Sequence, residues 1–172
     1  IVHDWMWSVR GGEKCVEALC ELFPQADVFT MFGDASVSDV ISKHKVTYSF
    51  IQKFPLLKKY HRYTYFLWPI AIESFNLKGY DLVVSTTACA SKGVVTDLNS
   101  VHVSYIFTPI SYAWDMTFEY FNPANFSLWK RLVIPVFLNY LRIWDVTATD
   151  RVDVLVPISE YVSKRVTKYY RR

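Results

Sequence analysis

The sequence predicts an α/β domain with a doubly wound, mainly parallel β-sheet, and three observations support that prediction. Strand-like segments alternate along the chain with segments of helical periodicity. Several strand-like segments are almost continuously apolar, which is typical of parallel strands that helices cover on both faces. Finally, 52% of the 172 residues are hydrophobic, which is enough for one substantial core. We therefore expect a single domain over residues 1–172.

The first half of the chain predicts three strands and two helices. The chain begins inside a strand, "IVH", so we expect a trimmed N-terminus, and a helix follows over 13–23. The apolar residues of this helix recur on one face: Cys15, Val16, Leu19, Cys20 and Phe23. Runs of β-branched and aromatic residues predict strands over 26–32 and 45–50, and the segment 55–68 predicts the second helix.

The second half repeats the same alternation. The predicted strands are 80–87, 101–108 and 152–159, and the predicted helices are 127–148 and 159–170. Neither an internal repeat nor a low-complexity linker interrupts this pattern, so nothing in the sequence divides the domain.

Ligands of parallel sheets bind beyond the carboxyl ends of the strands, so the loops that follow strands form the candidate site. The first, "DWMWSVRGGEK" (4–14), places Gly11 and Gly12 before a helix that begins near Glu13. Paired glycines let backbone N–H groups approach a phosphate, whose charge a helix N-terminus favours. The alternative is a tight strand-to-helix turn, because "GG" lacks the full dinucleotide-binding fingerprint.

Two more loops supply polar side chains to the same edge of the sheet. In "TTACASKGV" (86–94), Lys92 is either a cation for a substrate or an ordinary exposed lysine. In "FTPISYAWD" (107–115), Pro109 ends the strand and the first turn of a helix follows. Asp115 in that turn either contacts a ligand hydroxyl or caps its own helix.

Composition excludes several classes of protein. A net charge of +3 is too small for a nucleic-acid binder. Three cysteines without a C-x-x-C motif argue against a disulfide framework and a zinc site, and they favour a reducing compartment. The four histidines are scattered, so no metal site is predicted, and no apolar run approaches the roughly 20 residues of a membrane span.

Four separated blocks of the chain resemble one known family. The blocks are "HDWMWSVRGGEKCVEALCELFPQADVFTMF", "AIESFNLKGYDLVVSTTACASKGV", "TPISYAWD" and "YLRIWDVTATDRVDVLVPISEYVSKRVTKYY". They resemble, in this order, the Rossmann-like N-terminal domain of family 4 glycosyltransferases of the GT-B fold. The resemblance is nearest to the bacterial enzymes that add mannose and similar sugars during surface-polysaccharide synthesis.

This resemblance implies a retaining transferase that needs no metal or other cofactor. Such an enzyme moves a hexose from a GDP- or UDP-linked nucleotide-sugar to a lipid-linked or saccharide acceptor. The N-terminal half holds the acceptor, whereas the nucleotide-binding half is expected to lie outside this chain, which alone would be inactive. The resemblance places the donor diphosphate at Gly11 and Gly12. It places the acceptor at Asp4, Trp5, Arg10, Lys92, Thr108, Tyr112 and Asp115.

The chain departs from the family at two positions. Phe107 stands where relatives carry a histidine that reaches the donor sugar, and Ser111 stands where they carry an arginine. A phenyl ring cannot replace the hydrogen bonds of a histidine, so no catalytic residue is assigned here. These departures keep a second interpretation open, a non-catalytic module that binds a sugar or a protein partner. Glu13 and Glu21 have the spacing of the family's glutamate pair, but we interpret them as the solvated face of the first helix.

Basic and aromatic residues interleave over 51–72, a pattern that suits an anionic membrane surface. The residues expected to face the membrane are Lys53, Lys58, Lys59, Arg62 and Trp68. The alternative is that this segment packs on the sheet with its basic residues in water. A second basic and apolar segment, 128–144, is expected to pack in the core instead. These patterns predict a cytoplasmic protein at the inner face of the plasma membrane.

Overall fold

The computed structural model describes residues 1–56, 64–121 and 127–172, and its centre is one open sheet of six strands. The strands are β1 (Val2–His3), β2 (Val28–Thr30), β3 (Val46–Tyr48), β4 (Leu82–Thr87), β5 (Val101–Ile106) and β6 (Val154–Pro157). Their order is β3-β2-β1-β4-β5-β6, and every pair of neighbours in it is parallel. This arrangement confirms the predicted α/β, Rossmann-like class.

Five α-helices accompany the sheet in the described part of the chain. They are α1 (Gly11–Leu22), α2 (Trp68–Glu73), α3 (Thr117–Tyr120), α4 (Leu128–Asp150) and α5 (Glu160–Tyr170). Short 3-10 helices cover Ala35–Val37, Ile41–Lys43, Phe50–Lys53, Tyr65–Leu67 and Ser91–Gly93. Every predicted strand contains an observed strand. The observed strands are shorter because the backbone hydrogen bonds between neighbouring strands end before the apolar run does.

The predicted helices need two corrections, and part of a third helix is not tested. Helix α1 begins at Gly11, two residues before the prediction, so both glycines belong to its first turn. The residues after Pro109 form a turn rather than the start of a helix, and α3 begins only at Thr117. Of the predicted helix 55–68, residues 57–63 lie outside the described residues.

Helices cover both faces of the sheet. Val28 packs in a cluster with Val16 and Cys20 of α1, whereas its neighbour Phe29 belongs to a larger cluster that contains Leu141 of α4. Successive side chains of a strand point to opposite faces, so these two clusters lie on opposite sides of the sheet. The sheet is therefore doubly wound, as its continuous apolar strands predicted.

The connections leave a crevice beside β1. From β1 the chain moves to one side through β2 and β3, and then crosses to the other side through β4 and β5. His3 at the end of β1 pairs with Thr86 near the end of β4, so the two carboxyl ends lie at one edge. Ligands of open α/β sheets bind at such a switch point, which directs attention to the loops after β1, β4 and β5.

Candidate functional site

A cleft of about 600 Å³ opens at this edge of the sheet. Its aromatic lining consists of Trp5, Trp7, Tyr65, Trp68, Tyr112 and Tyr120. Its polar lining consists of Ser8, Arg10, Glu13, Thr108 and Ser111, and Ala88 and Cys89 complete the wall. Four residues predicted to contact an acceptor, Trp5, Arg10, Thr108 and Tyr112, are thus brought together.

The aromatic rings of the cleft hold one another in place. The ring centres of Tyr65 and Tyr112 are 4.7 Å apart, and the two rings are nearly parallel. The ring centres of Tyr65 and Trp68 are also 4.7 Å apart, but these rings are nearly perpendicular. Trp5 in turn lies 5.2 Å from Trp68. Rings fixed by such contacts present a preformed apolar wall. The same contacts bury Trp68, which is 3% exposed, so the prediction that Trp68 faces a membrane is wrong.

Asp4 does not line the cleft, because its carboxylate accepts hydrogen bonds from the loop after β4. One oxygen accepts hydrogen bonds from the N–H groups of Ala88 and Cys89, at 2.7 and 2.9 Å, and the other from those of Ala90 and Ser91, at 2.8 and 2.7 Å. Asp4 is 2% exposed. Its predicted contact with an acceptor is therefore replaced by a structural one: Asp4 fixes the loop that carries Ala88 and Cys89 into the cleft wall.

Lys92 is buried, not exposed at the tip of a loop. Its ammonium group forms an ion pair with Asp145 of α4 and lies 5.3 Å from the ring centre of Tyr170. Asp145 also accepts hydrogen bonds from Trp114 Nε1 at 2.7 Å and from the Tyr170 hydroxyl at 2.9 Å. A charge so enclosed is not available to a substrate, and the interpretation of Lys92 as an exposed lysine or a substrate contact is wrong.

Arg165 of α5 binds three side chains of the loop that follows β5 (107–115). Its guanidinium donates hydrogen bonds to the hydroxyls of Thr108 and Ser111 and forms an ion pair with Asp115. Asp115 therefore binds a side chain of another helix instead of capping its own. Sequence reasoning missed Arg165, because helical periodicity shows which side chains share a face but not which distant loop that face meets.

Arg165 also brings a cation to the cleft wall beside Ser111. Its guanidinium lies 3.3 Å from the Ser111 hydroxyl. The cation thus reaches this part of the cleft wall from α5 rather than from the loop itself.

Glu13 is a buried carboxylate of the cleft, so its interpretation as part of a solvated helix face is wrong. It is 6% exposed, and one of its oxygens accepts a hydrogen bond from the Arg10 N–H at 3.0 Å, which caps α1. Its other oxygen lies 4.0 Å from Nε2 of His3. Burial raises the pKa of Glu13, but His3 and the backbone N–H groups outweigh burial and leave that pKa below its ordinary value. Glu13 is therefore charged at neutral pH, whereas Glu21 is exposed as predicted.

His3, Gly12 and Phe107 meet beside this carboxylate. His3 is buried at the end of β1, and its Nδ1 lies 2.7 Å from Thr86 Oγ1. A Cβ atom on Gly12 would lie 3.2 Å from Cε1 of His3 and 3.4 Å from Cε2 of Phe107. Gly12 does not adopt a positive φ, so close approach rather than backbone freedom accounts for glycine here.

The two glycines allow a matched test of this close approach. We expect Gly11→Ala to raise the free energy of unfolding by about 0.5–1 kcal/mol, because its Cβ would meet nothing within 4 Å and alanine favours a helix. We expect Gly12→Ala to lower it by about 1–2 kcal/mol, because the hydrogen bond to Thr86 prevents His3 from moving aside. Urea unfolding of both variants measures the difference. Equal effects would show that Gly12 is not crowded.

The protonation states of Cys89 and Tyr112 limit the chemistry that the cleft can perform. Burial raises the pKa of the Cys89 thiol and of the Tyr112 hydroxyl well above their usual ranges. Both groups are neutral at physiological pH, so Cys89 is a poor nucleophile. The charged residues that line the cleft are Arg10 and Glu13. Over 1–56, 64–121 and 127–172, no group of three or more His, Cys, Asp or Glu side chains is placed to hold a metal ion. The arrangement suits a ligand with apolar faces and a few hydrogen-bonding groups.

Comparison with known proteins found no protein-family model, no curated protein and no solved structure that matches this chain significantly. The resemblance to family 4 glycosyltransferases therefore stays a prediction.

Proposed function

We propose that this chain is the acceptor-binding half of a retaining glycosyltransferase. The full enzyme would transfer a mannose-like hexose from a GDP- or UDP-linked donor to a lipid-linked or saccharide acceptor. The observation that carries the proposal is the aromatic cleft at the switch point of the sheet. Sugar rings combine apolar C–H faces, which pack on aromatic rings, with hydroxyl edges, which hydrogen-bond to charged groups such as Arg10 and Glu13.

The donor diphosphate would lie at the N-terminus of α1. The backbone N–H groups of Gly11 and Gly12 and the exposed Arg10 side chain provide positive potential there, which the charged Glu13 carboxylate of the same turn partly offsets. Such fixed donors stabilise the negative charge that develops on a departing nucleotide diphosphate, without a metal or other cofactor. The nucleotide itself would be bound by a second domain outside these 172 residues.

The proposed location is the cytoplasmic face of the plasma membrane. The three cysteines are free thiols, as a reducing compartment allows. Of the cations predicted over 51–72, Lys53 is exposed, whereas Lys58, Lys59 and Arg62 lie outside the described residues. An anionic membrane surface would bring the chain close to lipid-linked acceptors.

A second candidate function is a non-catalytic module that binds a saccharide or a protein partner. Phe107 favours it, because this ring stands in the place of the family's histidine and packs close to Gly12. In that case the cleft would bind a saccharide, but the longer protein would transfer no sugar.

Calorimetric titration with mannose-containing oligosaccharides tests the cleft directly. We expect the chain to bind them and Trp7→Ala to bind about tenfold more weakly, because Trp7 lines the cleft and stays 40% exposed. Trp129→Ala removes a ring outside the cleft that is 62% exposed, and it should bind like the wild type. Failure of the wild type to bind any such saccharide would contradict the proposal.

Sugar transfer separates the two candidate functions. We expect no transfer from GDP-mannose or UDP-glucose by the 172-residue chain and measurable transfer by a longer natural protein that contains the second domain. Transfer by this chain alone would contradict the proposed division between the domains. Saccharide binding without transfer by the longer protein would favour the non-catalytic module.

A further inference from the structure

The outer side of α4 exposes a continuous row of large apolar residues. The row, here called the outer α4 face, consists of Leu128, Trp129, Leu132, Val136, Tyr140 and Ile143. Most of these residues follow one another at intervals of three or four, so they lie on one side of the helix. Leu128, Leu132 and Val136 are 78%, 74% and 70% exposed.

The opposite side of the same helix is buried. Leu138 and Leu141 are 4% and 2% exposed, and Leu141 and Ala148 belong to the main core cluster. The prediction that 128–144 packs in the core is therefore right for one side of the helix and wrong for the other. A helix that is apolar on all sides is normally buried on all sides, so we expect a binding partner to cover the outer α4 face.

The charges of α4 indicate what covers this face. The segment 128–144 contains Lys130, Arg131 and Arg142 but no Asp or Glu. Arg142 turns inward to the carbonyl of Ala113, so Lys130 and Arg131 are the cations beside the exposed row. Both are exposed and lie in the first turn of α4, so this end of the outer α4 face carries positive charge beside its apolar row. A surface of this composition fits an anionic partner.

Aromatic residues strengthen the match to a bilayer surface. Trp129 and Tyr140 are 62% and 46% exposed on the outer α4 face, and Lys130 Nζ lies 5.6 Å from the ring centre of Trp129. Amphipathic rings beside cations are typical of helices that lie in the headgroup layer of a membrane. Within the described segments, no helix combines the length and apolar character that a membrane crossing requires.

The outer α4 face is connected to the mouth of the cleft through α3. Phe118 of α3 is 78% exposed, and it borders a groove that is also lined by Arg131 and Pro135 of α4. Tyr120 of the same short helix lines the cleft and is 56% exposed. A surface that bound lipid here would therefore bring the bilayer to the entrance of the cleft.

We propose that the outer α4 face docks the protein on an anionic bilayer, with α4 parallel to the membrane. Its apolar row would enter the headgroup layer, and Lys130 and Arg131 would contact lipid phosphates. The proposal rests on the anionic membrane partner of the proposed function, and it names a different surface from the segment 51–72. It requires neither a donor nor an acceptor sugar.

Vesicle co-sedimentation of the 172-residue chain tests the proposal. We expect binding to vesicles of phosphatidylglycerol and phosphatidylethanolamine, and little binding to pure phosphatidylcholine. We expect Leu132→Gln together with Val136→Gln to weaken binding at least tenfold, since glutamine retains helix propensity but not apolar surface. Lys130→Gln together with Arg131→Gln should remove most of the dependence on salt.

Two controls make the result specific. Leu98→Gln together with Val95→Gln changes the same residue types at sites that are 99% and 50% exposed outside α4, and this variant should bind like the wild type. Replacing Lys58, Lys59 and Arg62 with glutamate tests the segment 51–72. Loss of binding in that triple variant, with full binding by the α4 variants, would overturn the proposal.

Size-exclusion chromatography identifies the competing occupant. If the wild type elutes as a dimer that Leu132→Gln dissociates, and does not bind vesicles, a second copy covers the face and the proposal fails. Failure of the proposed function has a different signature: the chain would bind vesicles through α4 but bind no saccharide.

Discussion

Asp145→Ala is expected to lower the free energy of unfolding by about 3–5 kcal/mol, a large part of the stability of a domain of this size. The substitution leaves the buried ammonium of Lys92 without its carboxylate, because both side chains of the pair are almost completely enclosed. It also removes the acceptor of Trp114 Nε1 and of the Tyr170 hydroxyl. Urea unfolding followed by far-UV circular dichroism measures the change.

A lysine of the protein surface provides the matched control. Lys45 forms an ion pair with Asp27 at 3.2 Å, but its side chain is 75% exposed. Surface pairs contribute about 0–1 kcal/mol, so Lys45→Met should have little effect, whereas Lys92→Met should be nearly as harmful as Asp145→Ala. The double variant of Lys92 and Asp145 should lose less than the sum of the single variants, since neither charge is left alone. A loss at Asp145 no larger than at Lys45 would refute the buried pair.

The sheet was predictable because its signals are local. Continuous apolar runs mark parallel strands with helices on both faces, and Pro24 and Gly33 bracket the run that contains β2. The edge of the sheet that carries the cleft followed from the same reasoning, since ligands bind beyond the carboxyl ends of parallel strands. Trp5, Arg10, Thr108 and Tyr112 belong to loops that this rule selects, although the resemblance, not the rule, assigned them to an acceptor.

The partners of buried polar residues were not predictable. Lys92 and Asp145 are separated by 53 residues, and Arg165 and Thr108 by 57. Periodicity specifies which side of an element is buried, but the partner depends on how two distant elements pack. Lys92 looked exposed because lysine in a loop usually is, and only the tertiary structure supplies the carboxylate that makes its burial tolerable.

Two assignments, Trp68 to a membrane face and all of 128–144 to the core, were wrong in part for a related reason. Trp68 was grouped with exposed cations because it shares a segment with them, yet it packs against Trp5 and Tyr65. The segment 128–144 was assigned to the core because it is apolar, and an apolar run does not reveal whether one side or both sides will find protein partners. The outer α4 face could be recognised only after the core side of the helix was known.

Asp4→Asn is expected to be nearly as destabilising as Asp4→Ala, with a loss of at least about 3 kcal/mol in the free energy of unfolding. The two carboxylate oxygens accept four backbone N–H groups, two each, from residues 88–91. An asparagine of the same shape keeps one acceptor oxygen and turns an NH₂ group toward the other two donors. Each buried donor left without a partner costs about 1–3 kcal/mol, so two lost hydrogen bonds and the donor–donor repulsion account for the loss.

The comparison with an exposed aspartate distinguishes this structural role from ligand binding. Asp34 accepts a hydrogen bond from the Ser36 N–H at 2.9 Å at the start of a short 3-10 helix, so Asp34→Asn should cost less than about 1 kcal/mol. If Asp4 contacted an acceptor, Asp4→Asn would reduce saccharide affinity and leave urea unfolding unchanged. The four hydrogen bonds predict instead that the unfolding midpoint of Asp4→Asn falls sharply. Saccharide binding then weakens only because the loop that carries Ala88 and Cys89 is no longer held in the cleft wall.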